Sequence, residues 1–261
     1  MLRRFLPVAV LIALVLAACG NAASPTPTLT GREIITKGME ATANLKSFHL
    51  AATASGTLNV EQLGSSGLNL KGTTLEGDVD IAGKKAALHF LVPPLLNVEG
   101  DVVVADDAVY VKTTLTGPKW TREAAGGPGA SPSSVPDPKT AIDELRAFLD
   151  KEGVQATKLD DASCGDRTCY QVELTIPAKL LDDAAGSAAP LPSGALGQDL
   201  VLNLKFDKEK LYLASASTSI DAQASGSLTL DVTLSNFDEA TSISAPPSDQ
   251  VDASGGGFSL P

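Results

Sequence analysis

Two periodicities divide the chain. Between Thr30 and Leu45 apolar residues recur at helical spacing (Ile34, Ile35, Met39, Thr42, Leu45), and Thr30 precedes Glu33 by three positions, the pattern of a capping box. A helix ending near Lys46 is predicted. From Phe48 the period falls to two: Phe48, Leu50, Ala52, Ala54, Leu58 and Val60 alternate with polar or small residues, as in an antiparallel strand with one buried face. The same alternation predicts strands over Ala86–Val92, Val98–Val104, Ala108–Leu115, Thr168–Ile176, Asp199–Phe206, Leu211–Ile220 and Ser225–Leu234. Leu68 and Leu70 lie in one phase and Leu75, Gly77, Val79 and Ile81 in the other, so a bulge or sharp bend is expected at Gly72-Thr73-Thr74.

Two further helices interrupt the strands. Pro138 follows Asp137 as a first helical residue, and Ile142, Leu145, Phe148 and Leu149 mark one apolar face of a helix that stops by Gly153. Pro177 to Ala185 is a shorter candidate. Long antiparallel runs with few helices indicate an α+β fold, and no repeat at solenoid spacing is present. The connections at 117–137 and 186–198 are rich in Gly, Pro, Ser and Ala and unusually long. Beyond Pro247 the pattern fades, and 252–261 reads as a disordered tail.

The N-terminus changes the picture. Arg3 and Arg4 precede an apolar stretch, Phe5 to Val15, too short to remain as a membrane span, and Leu16-Ala17-Ala18-Cys19 ends it. A cysteine where an ordinary signal peptide carries a small residue resembles the bacterial lipoprotein signal, in which the thiol is diacylated and becomes the mature N-terminus. Residues 1–18 are therefore expected to be removed. Residues 19–29 form a lipidated tether, about 33 Å if the stretch from Gly20 to Leu29 is fully extended. Two acyl chains suffice for stable anchoring, which predicts a lipid-anchored protein on the extracytoplasmic side of the cell membrane.

Charge and cysteine usage narrow the partners. The whole chain carries −11, and loss of Arg3 and Arg4 leaves 18 basic and 31 acidic residues, a net −13. Such a surface argues against nucleic acid and against membrane docking through a basic patch. With Cys19 committed to lipid, Cys164 and Cys169 remain as an even pair flanking Gly165-Asp166-Arg167-Thr168, a turn-like loop. A disulfide clamping a hairpin is expected, worth about 2 kcal/mol because the closed loop is short. A metal site would need about four ligands, and only His49 and His89 stand beside this pair as nitrogen donors.

No catalytic constellation emerges. The chain contains no HExxH, GxSxG or GxxxxGK[ST] run, and no GxGxxG turn between strand and helix. His49 and His89 sit on strands among apolar alternates, and the pairs Asp106-Asp107, Asp160-Asp161 and Asp182-Asp183 fall at turns or helix ends, where solvated charge is ordinary. Aromatics make up only 4% of the chain, seven Phe, three Tyr and one Trp. A large aliphatic sheet with so few bulky fillers either packs tightly on its helices or leaves an apolar void. The composition alone leaves both open.

The order of parts resembles a known family. A lipobox, a Pro-containing tether, a helix running into Leu45-Lys46-Ser47-Phe48, a strand meander, Lys119-Trp120-Thr121, Asp137-Pro138 before a Leu-rich helix and a closing FDEATSISAPP (Phe237 to Pro247) are together similar to the LppX/LprG lipoprotein family, whose fold is that of LolA and LolB. The likeness spans roughly Thr30 to Val251, taken as one domain. It implies a strongly curved antiparallel half-barrel with helices on its concave side, an apolar cavity, and binding of acylated lipids or glycolipids that are moved through the envelope, with neither catalysis nor a cofactor. The Cys164/Cys169 pair and the long insertion after Trp120 are departures from the family.

Aliphatic strand faces, scarce aromatics and the resemblance together predict a single continuous apolar cavity lined by same-phase strand residues such as Leu50, Ala52, Ala54, Val79, Ile81, Leu202 and Leu204. A sensor or scaffold lipoprotein of the same fold, binding a protein or lipoprotein partner, is the alternative.

Overall fold

The computed structural model describes residues 29–58, 67–93, 97–124, 138–181, 198–221 and 226–252. The chain enters helix α1 (Gly31–Ala43) through the expected box: Glu33 N donates to Thr30 Oγ1 at 3.3 Å and Thr30 N to Glu33 Oε2 at 2.8 Å. The backbone N–H of Thr30, then its hydroxyl, hold the Glu33 carboxyl below its ordinary pKa. The helix ends at Ala43, short of Lys46. Asn44 N–H bonds back to Glu40 O and Ala41 O, closing the last turn, and the buried Leu45 swings the chain into the sheet.

Thirteen strands follow: β1 (Ser47–Leu58), β2 (Leu68–Asn69), β3 (Thr73–Asp80), β4 (Lys85–Val92), β5 (Val98–Ala105), β6 (Ala108–Thr113), β7 (Thr121–Ala124), β8 (Gln155–Lys158), β9 (Ala162–Cys164), β10 (Arg167–Ile176), β11 (Leu200–Asp207), β12 (Leu213–Asp221) and β13 (Gly226–Ser235). They form one antiparallel sheet in the order β7-β6-β5-β4-β3-β1-β13-β12-β11-β10-β8, with β2 on β1 and β9 on β10. β7 and β8 end the sheet without meeting, so it is an open, curved half-barrel. Helix α2 (Pro138–Leu149) lies between β7 and β8 in the chain.

The phase change near Gly72 is a turn. Leu68 pairs with Leu58 and Thr73 with Ala54, so β2 and β3 are two pieces laid along β1 and separated by Lys71-Gly72, with Gly72 at φ +84°. The sheet's irregularity falls elsewhere, between Lys205 and Phe206 of β11. Of the helix expected at Pro177–Ala185, residues 178–181 are helical and 182–185 lie outside the described residues, as do the lipobox, most of the tether and the tail.

Both helices cover one end of one face. Ile34 and Ile35 of α1 and Leu149 of α2 pack with Val154 onto Val172, Leu174, Ile176, Leu204 and Phe206. On the opposite face Ala108, Tyr110 and Trp120 form a smaller cluster, covered by Ala245 and Val251. The segment after β13 is tied across that face by Lys85 Nζ to Ile243 O (3.2 Å), Trp120 N to Gln250 O (2.9 Å) and Asp252 N to Trp120 O (2.8 Å). The stretch past Pro247, patternless in sequence, is thus ordered through a 3-10 turn at Ser248–Gln250 and pairing of Val251 with Trp120.

Candidate apolar binding face

Because side chains alternate across a strand, the pairing registers sort the sheet into two faces. Phe48, Leu50, Ala52 and Ala54 of β1 stand opposite Val79, Gly77, Leu75 and Thr73 of β3, and Leu50, Ala52 and Ala54 stand opposite Leu234, Val232 and Leu230 of β13. The set continues outward through Ala86, Leu88 and Phe90 of β4, Val104, Val102 and Gly100 of β5, and Val109 and Val111 of β6. All belong to the face that carries the helices. At β10 and β11 the helices bury it, whereas on β1, β3, β4 and β6 its apolar side chains stay half-buried. Leu230 is 37% exposed.

Small residues keep this open part shallow. A Cβ on Gly77 would lie 2.0 Å from Ala87 O, and one on Gly100 would meet the Phe90 ring at 2.7 Å. The Phe90 ring therefore lies across Gly100. Beside them Ala52 and Ala54 form a low strip between Val232 and Leu230 on one side and Leu75 on the other. Thr73 is the polar exception: its Oγ1 is buried and has no hydrogen-bond partner among the described residues.

On β13, β1 and β3 the reverse face is polar, whereas on β5 and β6 it carries the Ala108–Tyr110–Trp120 cluster; both histidines lie on this reverse face. His49 Nδ1 is 2.8 Å from Oδ1 of Asp78, directly opposite on β3. His89 Nδ1 is 2.9 Å from Oδ1 of Asp101, directly opposite on β5, and its Nε2 is 3.5 Å from Glu99 Oε1. Burial alone would raise the Asp101 pKa, but hydrogen bonds from His89 and Lys112 outweigh it and hold the carboxyl below its ordinary value. These are cross-strand histidine–carboxylate hydrogen bonds. Among the described residues no group of three or more His, Cys, Asp or Glu is gathered to hold a metal ion, and no helix is long and apolar enough to cross a membrane. A groove of about 350 Å³ runs along α1 and α2, but the charges lining it pair with each other: Arg32 with Asp150 at 2.6 Å, and Arg146 with Glu40.

The seven candidate lining residues separate. Leu50, Ala52, Ala54 and Val79 share the open face. Ile81 lies in the turn beyond β3, 37% exposed, while Leu204 is buried in the core under the helices and Leu202 packs against that core. The face also draws on β4, β5, β6 and β13, which the seven candidates do not include, although the alternation of Ala86, Leu88 and Phe90 carried the signal. Cys164 and Cys169 are joined diagonally across the β9–β10 hairpin, Cα atoms 6.0 Å apart, with Cys169 fully buried. Cys19 lies outside the described residues.

No family profile and no curated protein sequence matches the chain. Among solved structures it is similar to LprF from Mycobacterium bovis, at 20% identity and a TM-score of 0.50 over 86% of this chain and 99% of that one. It is similar also to the lipoprotein LppX from Mycobacterium tuberculosis (18%, TM-score 0.48, 81% and 96%) and more loosely to a LolA superfamily protein from Nitrosomonas europaea (10%, TM-score 0.26, 85% and 97%). The LprF likeness shows a common fold, the open half-barrel that the family resemblance implies.

Proposed function

We propose that the open part of the inner face, from β13 through β1 to β6, holds the acyl chains of a lipid or glycolipid, in a lipoprotein tethered through Cys19 to the outer side of the cell membrane. The observation that carries this reading is the contrast between the two ends of one face. Where α1 and α2 lie on it, aliphatic side chains are buried; beyond them the same apolar row runs on half-exposed, while the reverse side is polar on β13, β1 and β3 and covered by the C-terminal strap on β5 and β6. Contiguous apolar area of this kind marks a binding surface in a soluble domain. Burial of a methylene is worth about 0.8 kcal/mol, so a sixteen-carbon chain half enclosed gains about 6 kcal/mol. Thr73 Oγ1, without a hydrogen-bond partner among the described residues, is a hydroxyl on this face left for a ligand's ester oxygen.

Binding of this kind needs no bond-making. Loading and release are a partition between the face and a membrane, and the direction follows whichever state binds the chains better. Native mass spectrometry of the chain purified from its own host tests the reading. A lipid in fixed stoichiometry, released by organic extraction, is the expected result. A single protein retained with no lipid would replace it with the scaffold reading.

A further inference from the structure

The strands of the sheet have two sets of ends. One rim carries the turns at 81–84, 106–107, 165–166, 208–210 and 236–238, where exposed acids (Asp106, Asp107, Asp166, Glu209, Asp238, Glu239) alternate with exposed bases (Lys84, Arg167, Lys208, Lys210) and, among the described residues, no large hydrophobic side chain but Ile81 is exposed. At the other, where β1 ends and β3 and β5 begin, the β6–β7 connection presents Leu115 at 63% exposure, the highest among the large hydrophobic side chains described. The segment Thr113 to Lys119 contains no acid, and Lys71 and Lys119 are exposed on the same rim, with the acids Glu99, Asp199 and Asp221 exposed at other strand ends there.

Leu115 is held out by a rigid turn. The buried Thr113 hydroxyl accepts from Leu115 N (3.2 Å) and Thr116 N (3.1 Å), Thr116 Oγ1 accepts from Thr113 N (3.1 Å), and Thr114 N donates to Glu99 O (2.9 Å). A single exposed leucine is ordinary, whereas one fixed at the mouth of an apolar face costs little further entropy on burial. The chain start points the same way. Gly31 abuts Ala156 and Arg32 donates to Val154 O, both near the strand ends of the Leu115 rim, whereas Thr42 at the far end of α1 accepts from Leu213 N on the opposite rim. Leu29, the first described residue, thus lies toward the Leu115 side.

The geometry points to this rim as the surface that meets a lipid bilayer, with Leu115 entering the headgroup and acyl boundary and Lys71 and Lys119 at the phosphates. The open apolar face then ends against the membrane from which its chains come. The inference extends the reading above from what the face holds to where it opens, and rests on it only for the anchor.

The test uses the full, lipid-anchored chain in phosphatidylcholine–phosphatidylglycerol vesicles, with Leu115→Cys or Asp107→Cys carrying an environment-sensitive fluorophore and spin-labelled lipids as quenchers. Insertion to the boundary, about 5–10 Å, should give at least about threefold stronger quenching at 115 than at 107. Leu115→Asp, with an unchanged melting temperature, should slow lipid exchange with the vesicles about tenfold. Equal quenching at the two sites, stronger quenching at 107, or unchanged exchange overturns the proposal. Quenching does not depend on what the face binds, so failure of the lipid reading would show separately as an empty chain in mass spectrometry.

Discussion

Gly38 of α1 rests directly on the ring of Phe206 in β11: a Cβ at position 38 would sit 2.2 Å from Phe206 Cδ1 and 3.0 Å from Leu211 O. Phe206 is fully buried, so its ring has nowhere to go. Alanine is the better helix former by about 1 kcal/mol. Gly38→Ala should nevertheless destabilise by about 1–3 kcal/mol, because overpacking exceeds the propensity gain. Chemical denaturation measures it, and a stabilised Gly38→Ala would mean that α1 does not seat on β11 as described.

The Cys164–Cys169 link closes a short loop, so its contribution should be modest, about 2 kcal/mol. Non-reducing peptide mapping of the exported chain should find this one intrachain link. The Cys164→Ser, Cys169→Ser double variant should still fold, with a lower melting temperature, since Cys169 is buried against the sheet. Two free thiols in exported material would count against the link.

What the sequence made legible were features written in local spacing. The Thr30–Glu33 box, the change of period after Lys46 and the turn between the two cysteines each depend on residues a few positions apart. Long-range facts were hidden. Leu204 alternates much as Leu50 does, yet one is core and the other lines open surface, because β11 neighbours β10 beneath the helices and β1 does not. Alternation reports that one face is apolar and is silent on what covers it. The bulge at Lys205/Phe206 and the strap of residues around Val251 on Trp120 likewise depend on partners far away in the chain.

Asp101 gives the fold a definite acid response. Its carboxyl is held below the ordinary value of 3.8 by His89 and Lys112, so its pairing contributes in full above that pH. The contribution is lost as pH falls through the lowered folded value, where the carboxylate takes up a proton. Asp101→Asn should therefore lower the melting temperature at neutral pH and flatten its decline on acidification below about pH 4. Parallel acid-melting curves for wild type and variant would remove Asp101 from the account.

Membrane attachment should depend on one atom, the Cys19 thiol. No helix among the described residues is able to span a bilayer, and with a net charge of −11 the chain is not held to anionic headgroups by charge alone. Cys19→Ala is expected to leave the protein soluble or as an unprocessed precursor, and globomycin to cause precursor accumulation in the wild type. A normally processed, membrane-bound Cys19→Ala protein would remove the lipoprotein assignment.

Ala52 and Ala54 separate a filled interior from a ligand surface. Both belong to the low strip of β1, half-buried, between Val232 and Leu230 on β13 and Leu75 on β3. An indole placed there by Ala52→Trp or Ala54→Trp can extend over the open face, where acyl chains are proposed to lie. In a closed core the same change would force the surroundings apart at a cost of about 1–3 kcal/mol. The expected pair of results is a melting temperature close to wild type and a several-fold loss of bound lipid on extraction, with Gly38→Ala giving the reverse: lower stability and normal loading once folded. Should both tryptophan variants unfold at markedly lower temperature, the strip is packed interior and the ligand must be sought elsewhere on the sheet.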